Sequence, residues 1–512
     1  VRRDGSPSGR GRPLLRAALG LLAVAAVALP FTVAWQYDAF RRAVSHQAAP
    51  PPAAVHGAPG ADAKAVPAGD APVVLAYHDV GPDARSRYTV SAQRFDAQLR
   101  ALREAGYRTL STREFTDFLR TGRTPAPRTV YLTFDDGTHG LWVHADGILA
   151  RHRMKGAVYL ITGQVGTHRP YYLSWAEIER MADSGRWDFQ AHSDLSHSRA
   201  AVDAAGRTAP VLTNRLWLKD EGRPESVPEH RRRVAADLDR SAAAFARHGL
   251  PRPELFAYPF SERLEESNLG PRGADTFRAL LRDHYTATLT NSADRPLPPG
   301  PRSAAAGKVQ RLEVLRDTTP AALLREIARW TPVRPADVRR PLSGPGHWRV
   351  SDGPVRTGLG VLTGTHRPAA DVRYVSAAYR PIATADWTTY RLSLTAARLG
   401  ASAGVGVTVR ADSEHPATLW VGRNTAHLTA RGPGGSRTGP ARRLEPSATH
   451  RVEVTVTPEA VRVVVDGRQR LTLPATWRDP ARGAGGFALS TGLPESAGPE
   501  VPWPRFTALE VR

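Results

Sequence analysis

Two adjacent carboxylates close an apolar run in this chain, where Val130-Tyr131-Leu132-Thr133-Phe134 leads into Asp135, Asp136 and Gly137. Further on, His192 and His197 stand in Ala191-His192-Ser193-Asp194-Leu195-Ser196-His197. Two imidazoles and one carboxylate suit a divalent ion such as zinc and leave positions open on it. Such an ion makes its water easier to deprotonate, and a second carboxylate beside it can take the proton as general base. Successive side chains of a strand point to opposite faces, so both aspartates can serve one site only where the strand breaks. Gly137 supplies the break. The favoured assignment is Asp136, His192 and His197 as ligands and Asp135 as base. Taken singly these residues are ordinary: Asp-Asp-Gly is a common turn, and isolated histidines such as His139, His144, His152 and His168 usually belong to surface or core. Two histidines five apart do not share a helix face, so this pair makes sense only on a loop or strand end. Weight comes from the combination, in the right order and in strand-end contexts.

The surrounding pattern predicts the elements that carry them. Val73–Ala76 reads as a buried strand ending in Tyr77-His78-Asp79. Ser91 caps a helix with Phe95, Leu99 and Leu102 on its apolar face, and Thr112 opens another through Phe115 and Leu119. After the aspartate strand come helix Leu141–Arg151, strand Ala157–Thr162, helix Trp175–Ser184, strand Asp188–Ala191, helix Pro228–Arg247, strand Leu255–Tyr258, strand Tyr285–Thr290 and helix Ala321–Trp330. Alternation of this kind predicts a parallel α/β sheet, open or closed into a barrel. In a barrel, reacting groups sit at the C-terminal ends of the strands, where Asp135, Asp136, His192, His197 and the turn Tyr258-Pro259-Phe260 all fall.

The chain has 512 residues, enough for two or three units, and its 41% hydrophobic content supports real cores. It has no cysteine, which removes disulfides, thiolate zinc sites and a cysteine nucleophile. Lys and Arg number 70 against 49 Asp and Glu, a net charge of +21. That charge can attract anionic polymers or membranes, but no basic run is interleaved with aromatics as a nucleic-acid groove requires, and solvated surface charge is favoured over a dedicated site. Arg2, Arg3, Arg10, Arg12 and Arg16 precede the uncharged stretch Ala17–Trp35, which predicts a membrane span or signal within residues 1–46, basic tip inside and the remainder exported. This makes the expected location the cell membrane, single-pass with an extracytoplasmic catalytic unit, or secretion if the segment is cleaved. Residues 47–71 read as an Ala/Pro/Gly tether. Residues 72–331 form the α/β unit and 332–341, with Pro332, Pro335 and Pro341, a linker. Residues 342–512 alternate apolar and polar, as in Tyr390–Leu394, Gly404–Val409, His450–Thr457 and Val461–Val465, with an Asp466-Gly467 hairpin turn. They predict an all-β sandwich or jelly roll.

The segments Thr133–Gly137 (TFDDG), His192–His197 (HSDLSH) and Phe256–Phe260 (FAYPF) together resemble the polysaccharide deacetylase family, also called NodB-homology or carbohydrate esterase 4, over roughly Pro72–Trp330. The resemblance implies a distorted (β/α) barrel that uses a metal to remove acetyl groups from cell-wall or capsular sugars. The family usually spaces its histidines four apart. The wider spacing, Leu75–Val80 (LAYHDV) and Asn214–Ser226 resemble the members that act on exported poly-β-1,6-N-acetylglucosamine. Two departures stand out: Ala257 lies near the position of a family arginine, and Ser261 replaces a glycine. The peptide N–H of Phe260 can hold an oxyanion without its side chain. The family's late histidine, a general acid, has His284 as its nearest counterpart here. Among loop aromatics, Trp175 and Trp217 are candidates to stack on sugars beside Tyr258 and Pro259, each equally suited to packing. The β-rich region is similar in pattern to concanavalin A-like and laminin G-like sandwiches, and Trp348, Trp387 and Trp420 are sugar platforms or core.

The expected function is metal-dependent N-deacetylation of an acetylated amino-sugar polymer, zinc favoured, with the membrane engaged through the N-terminal segment, a possible glycan contact on the sandwich and no nucleic-acid partner. Peptidoglycan, chitin-type or O-acetyl xylan deacetylation is the alternative of the same class. A non-catalytic surface glycan-binding protein is the alternative of another class. A glycosidase is disfavoured, because its paired acids stand about 5–10 Å apart across the bond and need no metal.

Overall fold

The computed structural model describes residues 71–512, apart from 83–85, 125, 262–263, 294, 339, 401–402, 433, 478 and 499–500, together with Leu29 and Thr32. The expected span Ala17–Trp35, those two residues excepted, and nearly all of the tether lie outside the described residues. Among the described residues no helix is long and apolar enough to cross a membrane.

Nine parallel strands build the first unit: β1 Val73–Tyr77, β2 Arg108–Thr109, β3 Thr129–Phe134, β4 Gly156–Leu160, β5 Trp187–Ala191, β6 Leu255–Ala257, β7 Ala287–Thr290, β8 Val309–Gln310 and β9 Leu312–Glu313. Their order is β8-β7-β6-β5-β4-β3-β1-β9, with β2 also on β3. The two strands at the ends of that path are separated in sequence by Arg311 alone. A single short segment therefore pairs with β7 through Leu289↔Val309 and with β1 through Leu75↔Leu312, which nearly closes the barrel.

Alternation along each strand sends one set of side chains inward and the other toward the helices. Val74, Tyr131, Tyr159, Leu255, Leu289 and Val309 cluster together with Phe115 and Leu119. Helix α2 (Thr112–Thr121) plugs the N-terminal end of the barrel: Phe115 stacks on Tyr131 at 4.3 Å, and the Thr112 amide donates to Asp188 near the start of β5. Leu75, Leu132, Phe134 and Val158 face the other way, against helices α1 (Ala92–Glu104), α3 (Asp146–His152), α4 (Trp175–Asp183) and α7 (Pro320–Trp330). Boxes at Ser111/Glu114 and Ser174/Glu177 cap α2 and α4, tying up amides that a helix start otherwise leaves unpaired.

Most expected elements stand within a residue or two of their predicted bounds, α5 (Val227–Arg247) among them. The expected helix from Leu141 begins instead as a wider π turn, Leu141–Ala145, before α3. Helix α6 (Gly270–His284) has no counterpart in the sequence reading. Its opening Gly270-Pro271-Arg272-Gly273 looks like a loop, although proline near a helix start is favourable.

The second unit consists of two antiparallel sheets around one core. One is ordered Trp348–Asp352, Tyr374–Tyr379, Phe487–Gly492, Gly404–Val409, Ala417–Val421, Thr425–Gly432, Gly435–Thr438; the other runs Gln469–Pro474, Ala460–Val465, Thr449–Val456, Tyr390–Ala397, Arg505–Val511. Val405, Val407 and Leu419 of the first meet Leu392, Val452, Val463 and Leu509 of the second. Trp348 and Trp387 are core, 6% and 5% exposed, so neither is a sugar platform. The expected linker is anchored: Trp387 donates to the Val333 carbonyl at 2.6 Å and Trp348 to that of Pro341 at 2.8 Å.

Candidate metal and acid–base site

β3 ends by bending back on itself. Asp136 has φ 71° and Gly137 φ 74°, which lets Asp135 and Asp136 turn toward one mouth. A Cβ at Gly137 would stand 2.7 Å from Leu160, so glycine is required there on both counts. β5 delivers His192, whose Nδ1 is 2.8 Å from the Ala257 carbonyl oxygen. A carbonyl only accepts, so Nδ1 carries the proton and Nε2 keeps its lone pair for the mouth. His192 Nε2 and His197 Nε2 lie 3.6 and 3.5 Å from Asp136 Oδ1. The three donor atoms all fall within 4.8 Å of one another.

The donors suit a cation. Asp136 Oδ1 is buried and has no hydrogen-bond partner, an arrangement that is costly unless a positive ligand completes it. Burial is the largest influence on the Asp136 carboxyl; with the neighbouring Asp135 and against the pull of His78, it leaves the group pushed up to about 6. Burial also lowers both imidazoles, His192 to about 3 against the pull of Asp135. Neutral imidazole is the form a metal needs.

Asp135 is treated differently. Burial by itself would raise its carboxyl, but Arg311 more than offsets this and holds it well below the usual carboxylate range. The guanidinium grips the carboxylate with both arms, Nη1 to Oδ1 and Nη2 to Oδ2, each at 2.7 Å. Both side chains are almost wholly buried. Arg311 is the residue between β8 and β9, so the segment that nearly closes the barrel also fixes Asp135. No sequence signal singled it out, because two-residue strands carry no readable period.

His78 is the second group missing from the sequence assignment. It follows β1, its Nε2 lies 3.9 Å from Asp135 Oδ2, and its Nδ1 is buried without a partner. A signal existed: Val73–Tyr77 is an apolar strand ending in His78 and Asp79, the same grammar as Phe134 ending in Asp135 and Asp136. His78, Asp135, Asp136, His192 and His197 line one cavity of about 730 Å³, with Phe260 and Asn214 on its wall.

Other expected residues fall elsewhere. His284 is not brought to the mouth. It ends α6, where Nδ1 meets the Leu280 carbonyl at 2.9 Å and Nε2 meets Asp239 of α5 at 3.3 Å, a pairing between two outer helices. Trp175 starts α4 and stacks on His248 at 4.0 Å, so it packs and does not face the cavity. Trp217 sits in a short hairpin with Arg223–Pro224, and neither it nor Pro259 is among the cavity's lining residues. Tyr258 borders the cavity, but its hydroxyl donates to the Gly307 carbonyl and its body is buried. Phe260 does reach the mouth, at φ 60°. That conformation is rare for a bulky side chain and costs about 1–3 kcal/mol.

A second buried cluster braces the loop after the aspartates. Glu177 receives both arms of Arg169 at 2.6 and 2.9 Å and faces His139 Nε2 at 3.0 Å. The His139 amide donates to the Tyr171 carbonyl at 2.7 Å, which fixes that loop against the one preceding α4.

Part of the chain is similar to known proteins. The polysaccharide deacetylase family profile matches residues 122–270. The poly-β-1,6-N-acetyl-D-glucosamine N-deacetylase of Escherichia coli is 24% identical over 242 residues, covering 44% of this chain and 36% of that protein. Its Staphylococcus aureus namesake is 29% identical over 114 residues, 22% of this chain and 39% of that protein. The chain thus spans little more than a third of the length of the curated relatives it matches. The structure of IcaB from Ammonifex degensii is 26% identical, covering 51% of this chain and 98% of that one at a TM-score of 0.39. Residues 122–270, which include both aspartates and both histidines, are thus a match to a polysaccharide deacetylase domain.

Proposed function

We propose that the barrel hydrolyses acetamide groups on an extracellular N-acetylglucosamine polymer, with β-1,6-linked polymer as the favoured substrate, and releases acetate. One observation carries the reading. A carboxylate locked in its ionised form (Asp135) and an imidazole (His78), 3.9 Å apart, share one cavity with a three-donor cation site. The names borne by the relatives support the choice of polymer, and the basic-then-apolar order of residues 2–35 supports an exported location.

Asp136, His192 and His197 would hold a divalent ion, zinc being favoured by two imidazoles and one carboxylate. When bound, the ion supplies Lewis-acid polarisation and a more acidic water. Asp135, kept anionic by Arg311, takes a proton from the attacking water as its oxygen bonds to the acetyl carbon. The Phe260 peptide N–H, on the turn after β6, donates to the developing oxyanion. His78 gives a proton to the nitrogen as the C–N bond breaks, so the sugar leaves as a free amine. Acetate release from β-1,6-linked and β-1,4-linked N-acetylglucosamine hexamers tests the proposal. Faster release from the β-1,6 hexamer is expected, and equal rates would remove the linkage preference. No release from either would remove the activity.

A further inference from the structure

The mouth of the barrel exposes aromatic surface that folding alone does not explain. Tyr88 is 38% exposed and Phe260 42%, and both line the same cavity. The Tyr88 ring lies 4.6 Å from the ring of His78, and the Phe260 ring 4.6 Å from that of His197. Each uncovered ring therefore abuts a reacting or ligating imidazole.

Topology sets the two rings apart. Tyr88 packs on the residue after β1, and Phe260 follows β6. In the strand path, with the segment around Arg311 counted once, β1 and β6 are four places apart one way and three the other. They stand on opposite sides of the mouth, with the aspartates and histidines between them.

Neither ring is loosely held. The Tyr88 carbonyl accepts from the Asp79 amide at 3.4 Å, the Arg87 guanidinium lies 5.2 Å from its ring centre, and the Arg87 carbonyl accepts from the Arg316 amide at 2.8 Å. Phe260 and Ser261 both adopt positive φ, 60° and 69°, and the Ser261 amide bonds the Tyr258 carbonyl at 3.2 Å. A strained backbone that holds an aromatic ring out of the core points to a ligand. The wall of the same cavity also carries polar groups, Asn214, Asn291, Ser292, Arg199, Glu266 and Glu313. An apolar ring face beside polar groups matches a β-linked pyranose, whose substituents are equatorial and whose faces carry axial C–H bonds. A lipid surface offers no use for that polar wall.

We infer that Tyr88 and Phe260 are two sugar platforms that bind the neighbours of the reacting unit on opposite sides, so that the site grips at least three consecutive residues of the polymer. This rests on the proposed deacetylation for its ligand class, but its test does not need turnover. Binding is measured by calorimetry on metal-loaded Asp135→Asn protein, with N-acetylglucosamine and its β-1,6-linked hexamer as probes. In that background Tyr88→Ala and Phe260→Ala should each weaken hexamer binding about tenfold, the loss expected for one buried aromatic contact. Tyr88→Ala should leave monomer affinity in place. Tyr88→Leu keeps an apolar side chain but removes the aromatic face, and should behave like Tyr88→Ala; melting curves confirm folding. Unchanged hexamer affinity in both alanine variants overturns the inference, as does absence of hexamer binding to the parent protein. Reduced binding to neutral phosphatidylcholine vesicles with unchanged hexamer affinity overturns it in favour of membrane docking. If wild-type protein binds the hexamer through these rings but releases no acetate, the platforms stand and the proposed activity falls.

Discussion

Arg311 in the barrel and Arg410 in the all-β unit are the two largest fully buried side chains among the described residues, and they are used in opposite ways. Burial by itself lowers the pKa of either guanidinium. For Arg311 the Asp135 carboxylate more than reverses this, so its value is raised. For Arg410 the pull of Tyr390 and Glu459 does not overcome burial. Its Nη2 donates to the Thr457 carbonyl at 2.7 Å, its guanidinium lies 4.6 Å from the centre of the Trp477 ring, and its value stays lowered. Equal burial of the same residue type thus serves two ends. In the barrel it fixes the charge of a carboxylate that faces a cavity, whereas in the β unit it ties backbone to ring. What marks a functional site is a buried charge whose partner is itself exposed to a ligand.

The comparison breaks most readily at Arg311. Arg311→Met should abolish acetate release and lower stability by about 4 kcal/mol, because it strands a buried carboxylate; chemical denaturation and acetate assay read both. His78→Gln should lower kcat about 10³-fold, within the range for loss of a positioned acid, while His284→Ala leaves it unchanged. The reverse pattern would return the acid to α6. Glu177 offers a pH test. Burial pushes its carboxyl up, but His139, Arg169 and the Ser174 amide more than offset this and bring it down to about 2. A depressed value stabilises the fold above the ordinary carboxylate pKa and loses that contribution as pH falls towards 2. Glu177→Gln should therefore cost about 3 kcal/mol at pH 7, and the gap to wild type should narrow between pH 4.5 and pH 2 in melts followed by circular dichroism. Arg410→Met should have the smallest effect, about 2 kcal/mol for one buried hydrogen bond and its ring contact, with acetate release per folded molecule unchanged.

Much of this was legible because the barrel repeats one phrase, an apolar run that stops at a polar residue. Asp135, Asp136 and His192 all close such runs, and periodicity placed them together at one mouth. His78 closes one too, but the expectation of a downstream acid drew attention to His284, whose helix α6 hides behind a Gly-Pro opening. Arg311 was out of reach. Its partners come from β3, far away in sequence, and nothing local distinguishes it among 70 Lys and Arg. Trp175 shows the converse. Ser174 and Glu177 cap the helix that Trp175 begins, and a tryptophan at that position packs against the neighbouring helix more readily than it faces a ligand.

The central claim is that Asp135 manages the proton while Asp136, His192 and His197 hold the ion. It is tested most directly by measuring metal content and acetate release on the same preparations of wild type and Asp135→Asn. The account predicts one divalent ion per chain in both, with acetate release at least about 10³-fold lower in the variant. Wild-type release from Asp135→Asn, or loss of the ion with the side-chain change, would contradict it.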